Sequence, residues 1–221
     1  MEDDGFRTAQ DEREEPDEVA ARDFLLQEHA LKELQSVVRN QGKVLIGLTV
    51  HFETLASASR RRQYVERLQR ELSRQAASLL VIEIANVPAG VLQPRMHDLV
   101  APLRRHCRAV CVGVPIEVAD FSAFRQTGIM AVGCDISANS SAELMLIQLM
   151  SRFARAAEKL QLPAYVRGLN TVSLIAAAVG AGFRYVEGIG IGAPAAHPNG
   201  MLRFSLEDVY RGLIPSLSKA P

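Results

Sequence analysis

The sequence predicts a barrel-type α/β fold, a parallel sheet of about six strands with helices packed around it. Three observations predict it. Six short runs of apolar and β-branched residues recur along the chain, each of strand length and each of the kind buried on both faces. Segments with helical spacing separate them, and parallel neighbours need crossovers of that length. An open dinucleotide-binding sheet would place a G-x-G-x-x-G turn after its first strand, whereas the Gly-Ile-Gly-Ile-Gly run at 188–192 follows the last one.

The elements follow in order. Leu25, Leu26, His29, Leu31, Leu34, Val37 and Val38 give a helical stripe over about 20–39, and Asn40-Gln41-Gly42 stops it. Residues 44–50 form the first strand, a helical spacing runs over 64–80, and 79–85 read as the second strand. Further strands are expected at 109–114, 129–134, 164–169 and 185–191, with helices around 96–105, 121–126, 142–160 and 171–181. Ser205-Leu206-Glu207-Asp208 has the form of a helix start, and Val209, Leu213 and Ile214 give that last segment an apolar side.

Composition narrows the function classes. The 221 residues carry 25 basic and 25 acidic side chains and are 48% hydrophobic, which excludes disorder throughout. Residues 1–18 hold nine acids against Arg7 and Arg13, so this stretch is expected to be an acidic disordered tail, leaving a basic folded body over 19–221. The arginines of that body are scattered through helical patterns without interleaved aromatics, so no DNA or RNA partner is expected. No apolar run reaches the roughly 20 residues of a membrane span. The N-terminus lacks the basic and apolar regions of a signal peptide, and a cytoplasmic location is expected. Cys107, Cys111 and Cys134 form neither a disulfide framework nor a zinc ribbon, and no cofactor is expected. His106, Cys107 and Cys111 have a superficial metal spacing, but they read better as a helix end entering a buried strand.

Ligands of such folds meet the C-terminal ends of the strands, and there the sequence resembles the EAL domain family of cyclic di-GMP phosphodiesterases. "YVRGLNTVSLIAAAVGAGFRYVEGIGIGAP" from Tyr165 to Pro194 is similar to the family's VVAEGVET segment and its GCDYVQGYLFGRP ending, with the interval between them preserved. "LLVIEIAN" at 79–86 resembles the LVLEITE strand, and "LTVHFETL" at 48–55 the SVNLS strand. "VCVGVP" at 110–115 and "VGCDIS" at 132–137 stand where the family has LDDFG and LKID. The resemblance covers roughly 20–196 and implies a TIM-barrel-like fold. The strand bearing the Glu-Ala-Leu triplet and the strand before it have no counterpart, so an incomplete barrel is expected.

The departures decide what the resemblance implies for chemistry. The family's carboxylates hold two divalent metals that activate a water for attack on the phosphodiester. Glu83 stands at the glutamate of LVLEITE and Asp135 at the aspartate of LKID. The asparagine of SVNLS is His51, the paired aspartates of LDDFG are Gly113 and Val114, and the lysine of LKID is Gly133. The two glutamates of AEGVE are Arg167 and Asn170, and the glutamine of YVQG is Glu187. Asp120-Phe121 is an alternative register for the Asp-Asp-Phe, at a spacing shorter than the family's.

An arginine among Glu83, Asp135 and Glu187 would neutralise them much as a metal would, so no metal site is expected and the domain reads as a pseudoenzyme. The expected function is a regulatory or scaffold domain in bacterial signalling. Its partners are a protein or a second copy, with cyclic di-GMP as a candidate ligand of the pocket formed by His51, Glu83, Asp135, Arg167, Asn170, Glu187, Gly188 and Gly190. The alternative is a divergent metal-dependent phosphodiesterase using His51, Glu83, Asp135 and Glu187. Gly188, Gly190 and Gly192 could present amides to a phosphate, or simply let the last strand turn. The missing strands are expected to leave open sheet edges, for which 20–39, 204–213 or a second subunit are the candidate covers, the alternative being that the sequence is a fragment of a larger protein that carries the missing region.

Overall fold

Six parallel strands lie side by side in chain order in this computed structural model, which describes residues 15–42, 44–192 and 205–211. They are β1 (Ile46–His51), β2 (Leu80–Ala85), β3 (Ala109–Gly113), β4 (Ala131–Asp135), β5 (Ala164–Arg167) and β6 (Tyr185–Val186). Sequential order without reversal is the winding of a barrel, whereas a doubly wound sheet doubles back at a switch point. The architecture is a TIM-barrel-like sheet in which, among the described residues, no pairing joins β1 to β6, as the strand count predicts.

Strand alternation separates two faces. Leu48, Val50, Ile82, Ile84, Val112 and Val132 point outward and are buried, beneath a coat of helices. The coat consists of α1 (Pro16–Arg39), α2 (Phe52–Ala56), α3 (Ala58–Glu71), α4 (Arg74–Ala77), α5 (Gln93–Leu103), α6 (Glu143–Glu158) and α7 (Val172–Ala181), with α8 (Leu206–Tyr210) against α7. Odd-numbered residues face the barrel axis, and many are small: Gly47, Cys111, Gly113, Ala131 and Gly133.

Helix α1 shows how the sequence sets an element and where its simple reading fails. Pro16 opens it with Asp17 and Glu18 in the first turn, and Gln41 closes it in the left-handed conformation with φ 55° while the Gly42 amide returns to the Val37 carbonyl at 2.8 Å. Residues 16–18, expected in the disordered tail, are therefore helical, and the rest of the tail up to residue 14 lies outside the described residues. The buried stripe is Val19, Asp23, Gln27, Leu31 and Leu34, whereas Leu25, Leu26 and His29 are exposed. The expected stripe was out of phase over the first half because polar side chains take the inward positions. Asp23 is fully buried and accepts from the His51 amide at 2.9 Å, from the Thr54 hydroxyl at 2.5 Å, and meets His51 Nδ1 at 3.0 Å.

Four other expectations are corrected. The helix expected at 64–80 begins at Ala58 and breaks at Leu72, whose backbone is extended, before Ser73 caps α4 by accepting the Ala76 amide at 3.1 Å. The helix expected at 121–126 is a single 3-10 turn over Ser122–Phe124, held because Phe121 anchors on Phe153 with ring centroids 4.9 Å apart. β5 ends at Arg167 and β6 at Val186. Beyond them the Glu187 amide still bonds the Val166 carbonyl, but the Gly190 amide folds back on the Leu169 carbonyl and the Ile191 amide on that of Gly188, so the chain turns instead of continuing the ladder to 191. α8 starts at the expected capping box, Ser205 with Asp208, but it packs on α7; Leu213 and Ile214 lie outside the described residues. No described helix is long and apolar enough to cross a membrane.

Asp23 ties α1 to the end of β1 and to α2, so Asp23→Ala strands three donors and is expected to cost about 3 kcal/mol, the order of a lost buried charged hydrogen-bond group. Urea unfolding of the variant checks this; a change under about 0.5 kcal/mol, the size of an ordinary surface substitution, would contradict it.

Candidate functional site

The strand ends on the axial face bring together three of the predicted residues. β1 to β2 register sets Thr49 beside Glu83, and β4 to β5 register sets Asp135 beside Arg167. Arg167 Nη1 lies 2.9 Å from Glu83 Oε2, and Nη2 lies 3.5 Å from Asp135 Oδ2. The Glu83 side chain is 12% exposed and Arg167 23%, so this pairing is screened far less than a surface ion pair. Thr49 donates to Glu83 Oε2 at 3.3 Å and accepts from Arg167 Nη1 at 3.3 Å. The last partner of Glu83 is Tyr165, whose hydroxyl donates to Oε1 at 2.7 Å.

Two glycines make room for that tyrosine. A β-carbon on Gly133 would stand 2.3 Å from the Tyr165 ring, and one on Gly113 would stand 2.6 Å from Glu83 Oε1. The side-chain volume lost at these two inward positions is thus occupied by Tyr165 and Glu83 themselves. Burial, followed by the charge and hydrogen bond of Glu83, pushes the Tyr165 hydroxyl well above its usual range, with Arg167 opposing; it stays a protonated donor. Asp135 is the more open acid, 46% exposed. Burial raises its pKa, but the hydrogen bonds of Ser137, whose amide donates at 2.8 Å, together with Arg167 outweigh that and hold it below the ordinary value.

A cavity of about 400 Å³ lies above the cluster, lined by Asp135, Ser137, Arg167, Gly168, Asn170, Glu187, Gly188 and Ile189. Asn170 and Glu187 are exposed on its rim. The glycine run serves the turn: a β-carbon on Gly188 would meet the Leu169 carbonyl at 2.0 Å, the Gly190 amide bonds Leu169 and the Ile191 amide bonds Gly188. The amides of residues 190 and 191 are therefore not presented to a phosphate. His51 is held by Asp23 and faces Arg22 Nη2 at 3.5 Å, so its ring is engaged by α1 rather than by Glu83 or Asp135. Asp120 accepts the Ser122 amide at 2.8 Å beside a different cavity, and it adds no acid to the cluster. Among the described residues no group of three His, Cys, Asp or Glu side chains is placed to hold a metal. The Cys111 thiol, pushed up to about 11 by burial, sits in β3, and Cys107 donates to the Leu103 carbonyl.

No protein-family model matches this sequence, and no curated protein matches it either. Solved structures do. The Xanthomonas citri FimX EAL domain in complex with c-di-GMP matches with a TM-score of 0.58 at 11% identity, over 86% of this chain and 74% of that one. The chain has an EAL-like fold. The PaMucR phosphodiesterase in its c-di-GMP complex matches with a TM-score of 0.57 at 13% identity, over 80% of this chain and 77% of that one. Vibrio cholerae LapD, as an S helix-GGDEF-EAL chain in its apo form, gives 0.56 at 14% identity over 74% of this chain; this chain spans only 40% of that longer one.

Within the EAL-like barrel, sequence reasoning missed Tyr165, Thr49, Ser137 and Asp23. Tyr165 and Thr49 were within reach, since each stands two residues before a chosen residue on a strand and shares its face. Asp23 is legible only as an acid standing at buried helical spacing from Val19, Gln27 and Leu31.

Gly133→Ala is expected to cost about 2 kcal/mol, a typical overpacking penalty, and to cost under about 0.5 kcal/mol in a Tyr165→Val background. Denaturation of the four proteins measures that coupling, and additive effects would contradict the packing. A second expectation concerns alkali. With its folded pKa raised, the Tyr165 contribution is complete below the ordinary value of 10.0 and is lost as pH climbs above it. Tyr165→Phe should therefore narrow the loss of stability between neutral and strongly alkaline urea titrations; an unchanged loss would contradict it.

Proposed function

We propose that this chain is a catalytically inactive EAL-like regulatory or scaffold domain in cyclic di-GMP signalling, and that it acts by binding a protein partner. The observation that carries this reading is the Arg167 guanidinium between Glu83 and Asp135. Two-metal hydrolysis needs several anionic oxygens converging on cations. Here a fixed cation already takes the two carboxylates, and Tyr165 and Thr49 use further lone pairs of Glu83. A divalent ion entering there would have to displace a covalently tethered charge. The divergent phosphodiesterase built on His51, Glu83, Asp135 and Glu187 is disfavoured further because Asp23 binds His51.

Retention of cyclic di-GMP without hydrolysis is a second reading, favoured by the cavity at the strand ends and by the c-di-GMP complexes of FimX and MucR. Charge opposes it. Glu83 and Asp135 already pair with the single Arg167, and Glu187 lines the same cavity as Asp135 and Arg167, an excess of negative charge around a dianionic ligand.

Incubating the purified chain with cyclic di-GMP and magnesium or manganese, followed by chromatography, is expected to give no hydrolysis product above a protein-free control. Metal-dependent turnover would contradict the inactive reading. Calorimetry in the same buffers separates the two remaining readings, since a binding heat without product supports retention of the dinucleotide and the absence of heat supports a purely protein-directed role.

A further inference from the structure

Arginines that are scattered along the sequence are gathered by the fold at one end of the barrel. The connections that lead into the six strands are residues 40–45, 72–79, 104–108, 126–130, 159–163 and 182–184. They hold Arg74, Arg104, Arg105, Arg108, Lys159 and Arg184, together with Lys43 outside the described residues, and no Asp or Glu. The six described cations are all exposed. None of them has an ion-pair partner among the described residues, whereas Arg60, Arg62, Arg67 and Arg70 on the face of α3 all pair with carboxylates. The acids nearest in sequence are Glu71, taken by Arg67 and Arg70, and Glu158 at the end of α6.

Strand register holds these cations near one level. Neighbouring strands start within two residues of each other, with Ile46 beside Leu80, Val81 beside Ala109, Cys111 beside Ala131, Val132 beside Ala164 and Tyr165 beside Tyr185. The Arg108 amide donates to the Leu80 carbonyl and the Arg184 amide to the Ala164 carbonyl, each at 2.8 Å, so both residues sit directly at the strand starts. Arg104 lies over the 126–130 connection, where a β-carbon on Gly128 would stand 2.1 Å from its Nη1. Four strand spacings of about 4.8 Å separate β2 from β6, which spreads the cations over roughly 19 Å of the sheet. The opposite end, at the strand ends and the loops that leave them, carries Glu83, Glu117, Asp120, Asp135 and Glu187 against Arg125 and Arg167. Charge is thus separated along the barrel axis.

We propose that the basic end of the barrel docks end-on against an anionic lipid surface through Arg74, Arg104, Arg105, Arg108, Lys159 and Arg184. Clusters of about four to eight such side chains attract acidic headgroups. A plane meets the cations of both sides of the barrel end at once, whereas an acidic peptide follows one line across it. Nucleic acid fits less well, because Tyr185 is the one exposed aromatic beside these cations among the described residues, too few to stack successive bases. The axial separation of charge also sets the orientation, since a negative plane attracts this end and repels the strand-end acids. The cavity above Arg167 then faces away from the lipid. Residues 193–204 and 212–221 contain no acid and bring no charge that would neutralise the face. Residues 1–14 carry six acids and are the competing occupant. This docking uses neither the loss of turnover nor the protein partner of the proposed function.

Co-sedimentation of the purified full chain with vesicles of phosphatidylcholine containing about one third phosphatidylglycerol tests this docking. The chain is expected to pellet with them at about 0.1 M salt and not with phosphatidylcholine alone. Release is expected at about 1 M salt, where the Debye length has fallen from ~10 to ~3 Å. Each surface cation contributes about fivefold to partitioning. Arg105→Gln with Arg108→Gln, and Lys159→Gln with Arg184→Gln on the other side of the barrel end, are therefore each expected to weaken partitioning about 25-fold at an unchanged urea midpoint. Arg62→Gln with Arg152→Gln removes the same net charge from helix faces and is expected to change partitioning less than about twofold. Failure to pellet at the lower salt, including through occupation of the face by residues 1–14, overturns the docking. Equal losses in all three pairs assign the binding to net charge and overturn the face, and a loss confined to one end pair overturns a planar partner. Binding of a duplex DNA or RNA oligonucleotide by a chain that leaves the vesicles free overturns the choice of lipid.

Discussion

The placement of one guanidinium between two carboxylates organises this molecule. Glu83 and Asp135 reach the same strand ends because parallel register and alternation put them on one face, and without a cation between them their charges would repel in a poorly solvated mouth. Arg167 supplies that cation from within the chain. Its consequences run outward through the neighbouring positions. Glu83 is fixed by Tyr165 as well as by Arg167, Tyr165 needs the space over Gly133, and Asp135 is oriented from its other side by Ser137. The two acids are thus paired and hydrogen-bonded by covalently attached groups of the chain itself.

The architecture was legible because its signals are local and repeated. Six apolar runs with helical spacers dictate a parallel sheet, and the absence of a phosphate-binding turn after β1 points away from the doubly wound alternative. The pairing of Arg167 with both acids also followed from residue chemistry at aligned strand ends. What escaped the sequence depends on long-range contacts. The true phase of α1 is set by Asp23, whose burial makes sense only once His51 and Thr54 are brought to it. The shortness of β6 comes from Gly188 packing on the Leu169 carbonyl, which no periodicity encodes. Tyr165 reads as an ordinary strand residue until the two glycines across the sheet are seen to be its socket.

Among the described residues the sheet between β1 and β6 is unpaired, a second constraint physically separate from the first. Among the described residues an apolar cavity lies beside β1, and α1 meets the end of that strand through Asp23 and the His51 amide. The structure thus combines two acids paired by one guanidinium with a sheet in which, among the described residues, β1 and β6 each have one strand partner.

The central claim is that Arg167 has taken the place of metal, and manganese tests it most directly. Paramagnetic broadening of the amide resonances of the isotopically labelled chain, titrated with Mn²⁺ at millimolar concentration, reports any ion seated at the strand ends. The account predicts no selective loss of signal around Glu83, Asp135 and Arg167. Broadening centred on those residues would show that the carboxylates still hold a metal beside the guanidinium, and would contradict the account.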